Sequence, residues 1–120
     1  MSISNYAENA LLDTFGGTNF SVSTAYLQLH VGDAGEDGTA NGAGETTRQA
    51  VSFSSASGGS MTSSATVTWT NLSNNETLTH WSMWDAATAG NCLWTGALSG
   101  SATVAVGDTF QITSLTLTLD

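Results

Sequence analysis

The chain contains no lysine and no proline, and only one arginine, Arg48, and one cysteine, Cys92. Each scarcity excludes something. Ten acidic residues against a single base give a formal charge of −9. The basic footprint that releases counterions from a nucleic acid is therefore missing. So is the polybasic patch that holds a protein to an anionic membrane. No apolar run approaches the ~20 residues of a spanning helix, and no charged n-region precedes an apolar h-region. A lone cysteine forms no intrachain disulfide, so no disulfide framework supports the fold. Without proline, the turns must rest on Gly, Asn and Asp chemistry.

What remains is a mixture of Ser, Thr and Gly with 40% hydrophobic residues and four tryptophans. Charged residues make up 9%, against a usual value near ~25%. Disordered chains combine low hydrophobicity with high charge, and this composition is the opposite. Thr favours strands and Gly favours turns, so the expectation is all-β: a single domain over 1–120, with antiparallel strands in a β-sandwich or jelly-roll-like arrangement.

The one helical pattern is at the start, within residues 1–17. Ile3, Ala7, Ala10 and Leu11 recur at helical spacing, with Leu12 and Phe15 widening the stripe. Ser4 or Asn5 can cap it, and Glu8 follows Asn5 at capping-box spacing. Gly16-Gly17 offers the left-handed stop. A helix this short is marginal alone, so Ile3, Leu11 and Phe15 must dock on the sheet or on a neighbouring subunit.

From residue 18 onward the period becomes two. Strands are expected over Ala25–Val31, Arg48–Ser54, Ser64–Thr70, Leu78–Trp84, Cys92–Leu98, Ala102–Val106, Thr109–Thr113 and Leu115–Leu119. Leu78–Trp84 and Cys92–Leu98 are apolar on both faces, which predicts a central hairpin covered on both sides. Trp81 and Trp84 point in opposite directions. Their cover on the second face is assigned to the N-terminal helix or to a partner subunit. Gly32–Glu45 is a loop of about 14 residues, long enough to be functional or mobile by the usual priors.

Candidate chemistry is sparse. Cys92 lies in an apolar strand, where burial makes a thiol inert. His80 beside Trp81 reads as an interior or interface histidine, and His30 as facing the wetter side. No nucleophile elbow is present, so no catalytic residue is assigned. A glycan-cleaving carboxylate pair needs a fixed separation across a cleft. Asp33, Glu36, Asp37 and Glu45 share the loop, while Asp85 and Asp108 occupy tight turns. Asp33-Ala-Gly-Glu-Asp-Gly38 partly matches a calcium loop, with Asp33, Glu36 and Asp37 as candidate ligands. Gly35 and Gly44 stand where further ligands belong, so a solvated acidic loop is the simpler reading and no cofactor is assigned. Arg48 must find a partner among so many carboxylates, with Asp13 and Asp85 as candidates near a subunit contact.

Several segments resemble a family of small bacteriophage virion proteins usually labelled tail fibre proteins. They are Asn9-Ala-Leu-Leu-Asp13 with Phe15-Gly-Gly-Thr18, Arg48-Gln-Ala-Val-Ser-Phe53, the run Thr79 to Leu98, Val106-Gly-Asp-Thr-Phe110 and Leu115-Thr-Leu-Thr-Leu-Asp120. The order is the same, and Asp85 to Leu98 is the most specific block. The family's first long loop carries proline and a Gly-Gly-Tyr-like approach to the arginine. Here that loop is acidic and Thr47 precedes Arg48. The resemblance implies a non-enzymatic virion component on the outer surface of the capsid or tail. Its implied partners are itself, as a homotrimer, and other virion proteins such as the major capsid or tail proteins. Ile3, Leu11, Phe15, Arg48, Trp81 and Trp84 are the interface candidates. The competing reading is a carbohydrate or receptor-binding tip, with tryptophans and the acidic loop as its site and calcium as an aid.

Overall fold

The computed structural model describes residues 2–119. A helix, α1 (Asn5–Phe15), follows a two-residue strand, β1 (Ser2–Ile3). Then come β2 (Ala25–His30), β3 (Gln49–Val51), β4 (Ser60–Thr62), β5 (Val67–Trp69), β6 (Glu76–Trp84), β7 (Cys92–Val104), β8 (Phe110–Ile112) and β9 (Thr116–Thr118). Five strands form one antiparallel sheet in the order β1-β7-β6-β2-β3, and β4-β9 and β5-β8 form two-stranded ribbons. The expected all-β architecture with a docked N-terminal helix is the one found.

Ser4 caps α1: its hydroxyl accepts the Ala7 N–H at 3.1 Å and donates to the Cys92 carbonyl. With Ser4 rather than Asn5 at the cap, Glu8 is one position too late for a capping box. Gly17 takes the left-handed conformation (φ +100°) just past the helix.

The central hairpin β6–β7 has the pairing expected of two double-sided strands. On one face of the sheet Leu27 and Leu29 stand opposite Met83 and Trp81, and these stand opposite Trp94 and Gly96. A methyl group on Gly96 would lie 2.6 Å from the Trp81 ring, so that indole needs a glycine beneath it. Val67 and Trp69 from β5, Ile112 from β8, Leu117 from β9, and Leu115 join the same buried cluster. A Leu or Met side chain buried this way contributes roughly 1.5–3 kcal/mol.

Three strand expectations are corrected. β7 does not stop at Leu98 but runs on to Val104, with Leu98–Ser101 standing opposite Thr79 alone. Ser64–Thr70 shortens to Val67–Trp69 because its partner β8 offers only three residues. Residues 60–62, outside every expected strand, form β4.

Candidate functional site

The opposite face of the sheet carries His30, Ser82, Trp84 and Cys92, and the long loop closes over it. Val31 N–H donates to the Asn41 carbonyl at 2.9 Å, and Ala43 N–H to the Leu29 carbonyl at 3.0 Å. The loop lies flat because it is made of small residues. Ala34, Gly38 and Ala43 are buried. Gly38 (φ +74°) sits where a methyl group would come within 2.6 Å of Cys92 Sγ and 2.9 Å of the Trp84 ring. Burial pushes the Cys92 thiol up to about 11, which leaves almost no thiolate at neutral pH.

His30 is fully buried and joins sheet to loop. Its Nδ1 lies 2.8 Å from the Ala40 carbonyl, which can only accept, so Nδ1 carries the proton. Nε2 then accepts from the Ser82 hydroxyl at 2.7 Å, and Ser82 Oγ accepts the Trp84 Nε1–H at 2.7 Å. Every polar atom in this chain is satisfied only while the imidazole is neutral. Burial holds the His30 pKa below its ordinary value, against the hydrogen bonds to the loop backbone.

Arg48 closes one end of this face. Its guanidinium lies 4.0 Å over the Trp84 ring. Nε donates to Gln28 Oε1 at 2.9 Å, and Nη1 donates to the Ala86 and Ala89 carbonyls at 2.8 and 2.7 Å. Neither expected partner, Asp13 nor Asp85, receives a hydrogen bond from it. Among the described residues its bonds go to neutral oxygens, because the turn after β6 presents carbonyls there. Asp85 instead accepts from Asn91 N–H and Nδ2 across the same turn.

On the other side of the sheet, an apolar groove of about 470 Å³ opens between α1 and the ends of the strands. Leu11, Phe20, Val22, Phe53, Met61 and Leu119 line it, with Ile3 and Trp94. Among the described residues, no charged side chain is among its walls. Trp94 Nε1 is buried without a hydrogen-bond partner. On the same helix as the groove-lining Leu11, Leu12 is 65% exposed and Phe15 89% exposed.

The interface candidates therefore separate. Ile3 and Leu11 line the groove, and Phe15 stands out from the helix. Trp81 and Trp84 are buried by the chain's own elements. The second face has its cover within the chain, from a loop rather than from the helix or a partner. No tryptophan is more than 7% exposed, so none offers an open indole face to a sugar. Among the metal candidates, Asp33 accepts the Gly35 N–H at 3.0 Å and Asp37 accepts the Thr39 N–H and hydroxyl at 3.1 and 2.7 Å. The Thr39 bonds, the hydroxyl's foremost, hold Asp37 below the ordinary carboxylate value. Glu36 is exposed. Among the described residues, no three acidic, His or Cys side chains come together to hold a metal.

Sequence reasoning missed Ser82, Ala40 and Gln28, whose roles depend on partners ten to 52 residues away. It also placed His30 on a wet side. The available signal was the unusual row Tyr26, Gln28 and His30 opposite a strand apolar on both faces, which implies a dry cover.

Residues 2–120 match the family model described as Podophage GP4 fiber I protein gp80. No curated protein matches the chain. The match leaves out only the first residue and takes in the helix, the loop-covered face, the groove and every strand, so the chain belongs to the podophage fibre family of GP4 fiber I protein gp80 and is a fibre protein of the virion.

Proposed function

We propose that this fibre protein is a non-enzymatic structural part that works by associating with copies of itself and by docking on other virion proteins. Three copies closed about a fibre axis is the assembly this reading takes, since closed cyclic symmetry fits an axial appendage. The observation that carries it is Phe15, 89% exposed on the helix that also carries exposed Leu12, in a chain whose tryptophans are all enclosed. Isolated exposed apolar residues need no explanation, but Leu12 and Phe15 one turn apart on α1, the helix whose Leu11 lines the apolar groove, mark an interaction surface. Covering Leu12 and Phe15 would contribute roughly 1.5–3 kcal/mol each.

The non-enzymatic part is supported by how the reactive groups are used. Cys92 lies under Gly38. His30 is locked between Ala40 and Ser82, and His80 Nδ1 bonds the Thr79 hydroxyl at 2.8 Å. Asp33, Asp37, Asp85 and Asp108 brace turns.

Sedimentation equilibrium tests the proposal. The wild-type chain is expected at three times its 12.3 kDa mass. The exposed-site variant Leu12→Ser/Phe15→Ser is expected to sediment as a monomer with an unchanged far-UV circular dichroism spectrum. A wild-type monomer at tens of micromolar would overturn self-association through this face.

A further inference from the structure

The loop that seals the His30–Trp84 face is attached to the sheet through a residue that titrates. Among the described residues, His30 holds the middle of the loop through the Ala40 carbonyl, ten residues further along the chain, while Glu76 of β6 holds its far end by accepting the Gly44 and Glu45 N–H groups. Its other nitrogen is committed to Ser82, whose oxygen already receives the Trp84 N–H. A second proton on the ring turns Nε2 from acceptor to donor, so it points a hydrogen at an oxygen whose own hydrogen then has nowhere to go. In a fully buried site, an unpaired donor and an unpaired charge both oppose the closed state.

The charged and titratable surroundings give the proton no compensation. Directly opposite on β6 stands His80, the register partner of His30. Arg48, at the start of β3, brings a fixed positive charge to the same face. On β7 the nearby titratable group is Cys92, a neutral thiol. Of the loop's own carboxylates, Asp33 is exposed, Glu36 and Asp37 are exposed at the rim of the pocket that Trp84 and Cys92 line, and buried Glu45 is committed to the Ser73 and Thr47 N–H groups; none bonds His30.

We propose that residues 32–40 are a proton-released cover: protonation of His30 frees this part of the loop and exposes the Trp84–Cys92 face, while residues 41–45 stay tied to β2 and Glu76 and the strands stay paired. The lowered pKa of His30 agrees with this geometry. Lifting the loop at Ala40 also lifts Gly38 from the Cys92 sulfur, so the chain carries its own reporter.

Cys92 labelling by a dithiodipyridine reagent, which reacts with thiols in acid, tests the proposal. Rates are divided by those of a free cysteine peptide at each pH, and far-UV circular dichroism is followed in parallel. Protection of the wild-type thiol should fall by up to about tenfold per pH unit below ~6.5, the slope of one proton, with the dichroism unchanged. His30→Gln should abolish the pH dependence. Ser82→Ala, which removes the hydrogen bond made only to the neutral ring, should move opening to higher pH and serves if the first variant does not fold. Protection unchanged down to about pH 5 overturns the proposal. Protection lost only together with the strand signal overturns it as well, because the event is then global unfolding.

Discussion

The Arg48 guanidinium rests 4.0 Å above the Trp84 ring while its Nη1 holds both the Ala86 and Ala89 carbonyls. One side chain thus ties the β6–β7 turn to the start of β3. Arg48→Ala should cost about 2–3 kcal/mol, from the lost cation–π contact and the carbonyls left without donors. That corresponds to a Tm lower by roughly 10 °C. Arg48→Lys should recover little, since a lysine cannot stack and reach two carbonyls at once. Thermal melts of both variants check this, and an Arg48→Ala chain with wild-type Tm would contradict it.

Two glycine substitutions separate the loop's tight contact from mere chain flexibility. Gly38→Ala adds a methyl group 2.6 Å from Cys92 Sγ at a left-handed backbone position, with an expected cost of about 2–4 kcal/mol. Its thiol should also react faster at neutral pH. Gly100→Ala meets nothing within 4 Å and should change stability by less than about 0.5 kcal/mol. Urea unfolding and thiol titration read both.

Stability should fall in acid in two steps. Because His30 has a lower pKa folded than unfolded, the unfolded chain takes the proton first. Its contribution is complete above ~6.5 and declines as pH drops below that value. At Glu45, burial works to raise the pKa, but hydrogen bonds from Thr47 and Ser73 together outweigh it and hold it low. Its contribution is present above about 4.5 and is lost below. Urea melts across this range, in about 0.5 M salt to screen the net charge, should show both declines. Glu45→Gln should flatten only the lower one. Stability that rises between pH 7 and pH 5 would contradict the His30 assignment.

The parts of this protein that could be read in the sequence are those where neighbouring residues determine the outcome. The apolar spacing and the Gly16-Gly17 stop marked α1, and the two double-sided strands marked the β6–β7 hairpin. Where a distant partner decides, local pattern failed. Alternation over Ser64–Thr70 promised seven strand residues, but β8 pairs with only three. The Ser99-Gly100-Ser101 cluster read as a break, yet β6 keeps Ala102 to Val104 in register beyond it. The cover escaped notice because Ala34, Gly38 and Ala43 resemble flexible loop residues, although smallness is what lets that backbone approach Cys92. Arg48 was recognised as needing a partner, but carbonyl oxygens leave no trace in side-chain identity.

With its sole guanidinium folded inward over Trp84, the charged side chains that this protein turns to the outside are, among the described residues, carboxylates. Two copies approaching one another meet repulsion until Leu12 and Phe15 come within touching range. Under the proposed self-association, background electrolyte becomes a throttle on how quickly subunits couple, and assembly should run faster in brine than in dilute buffer.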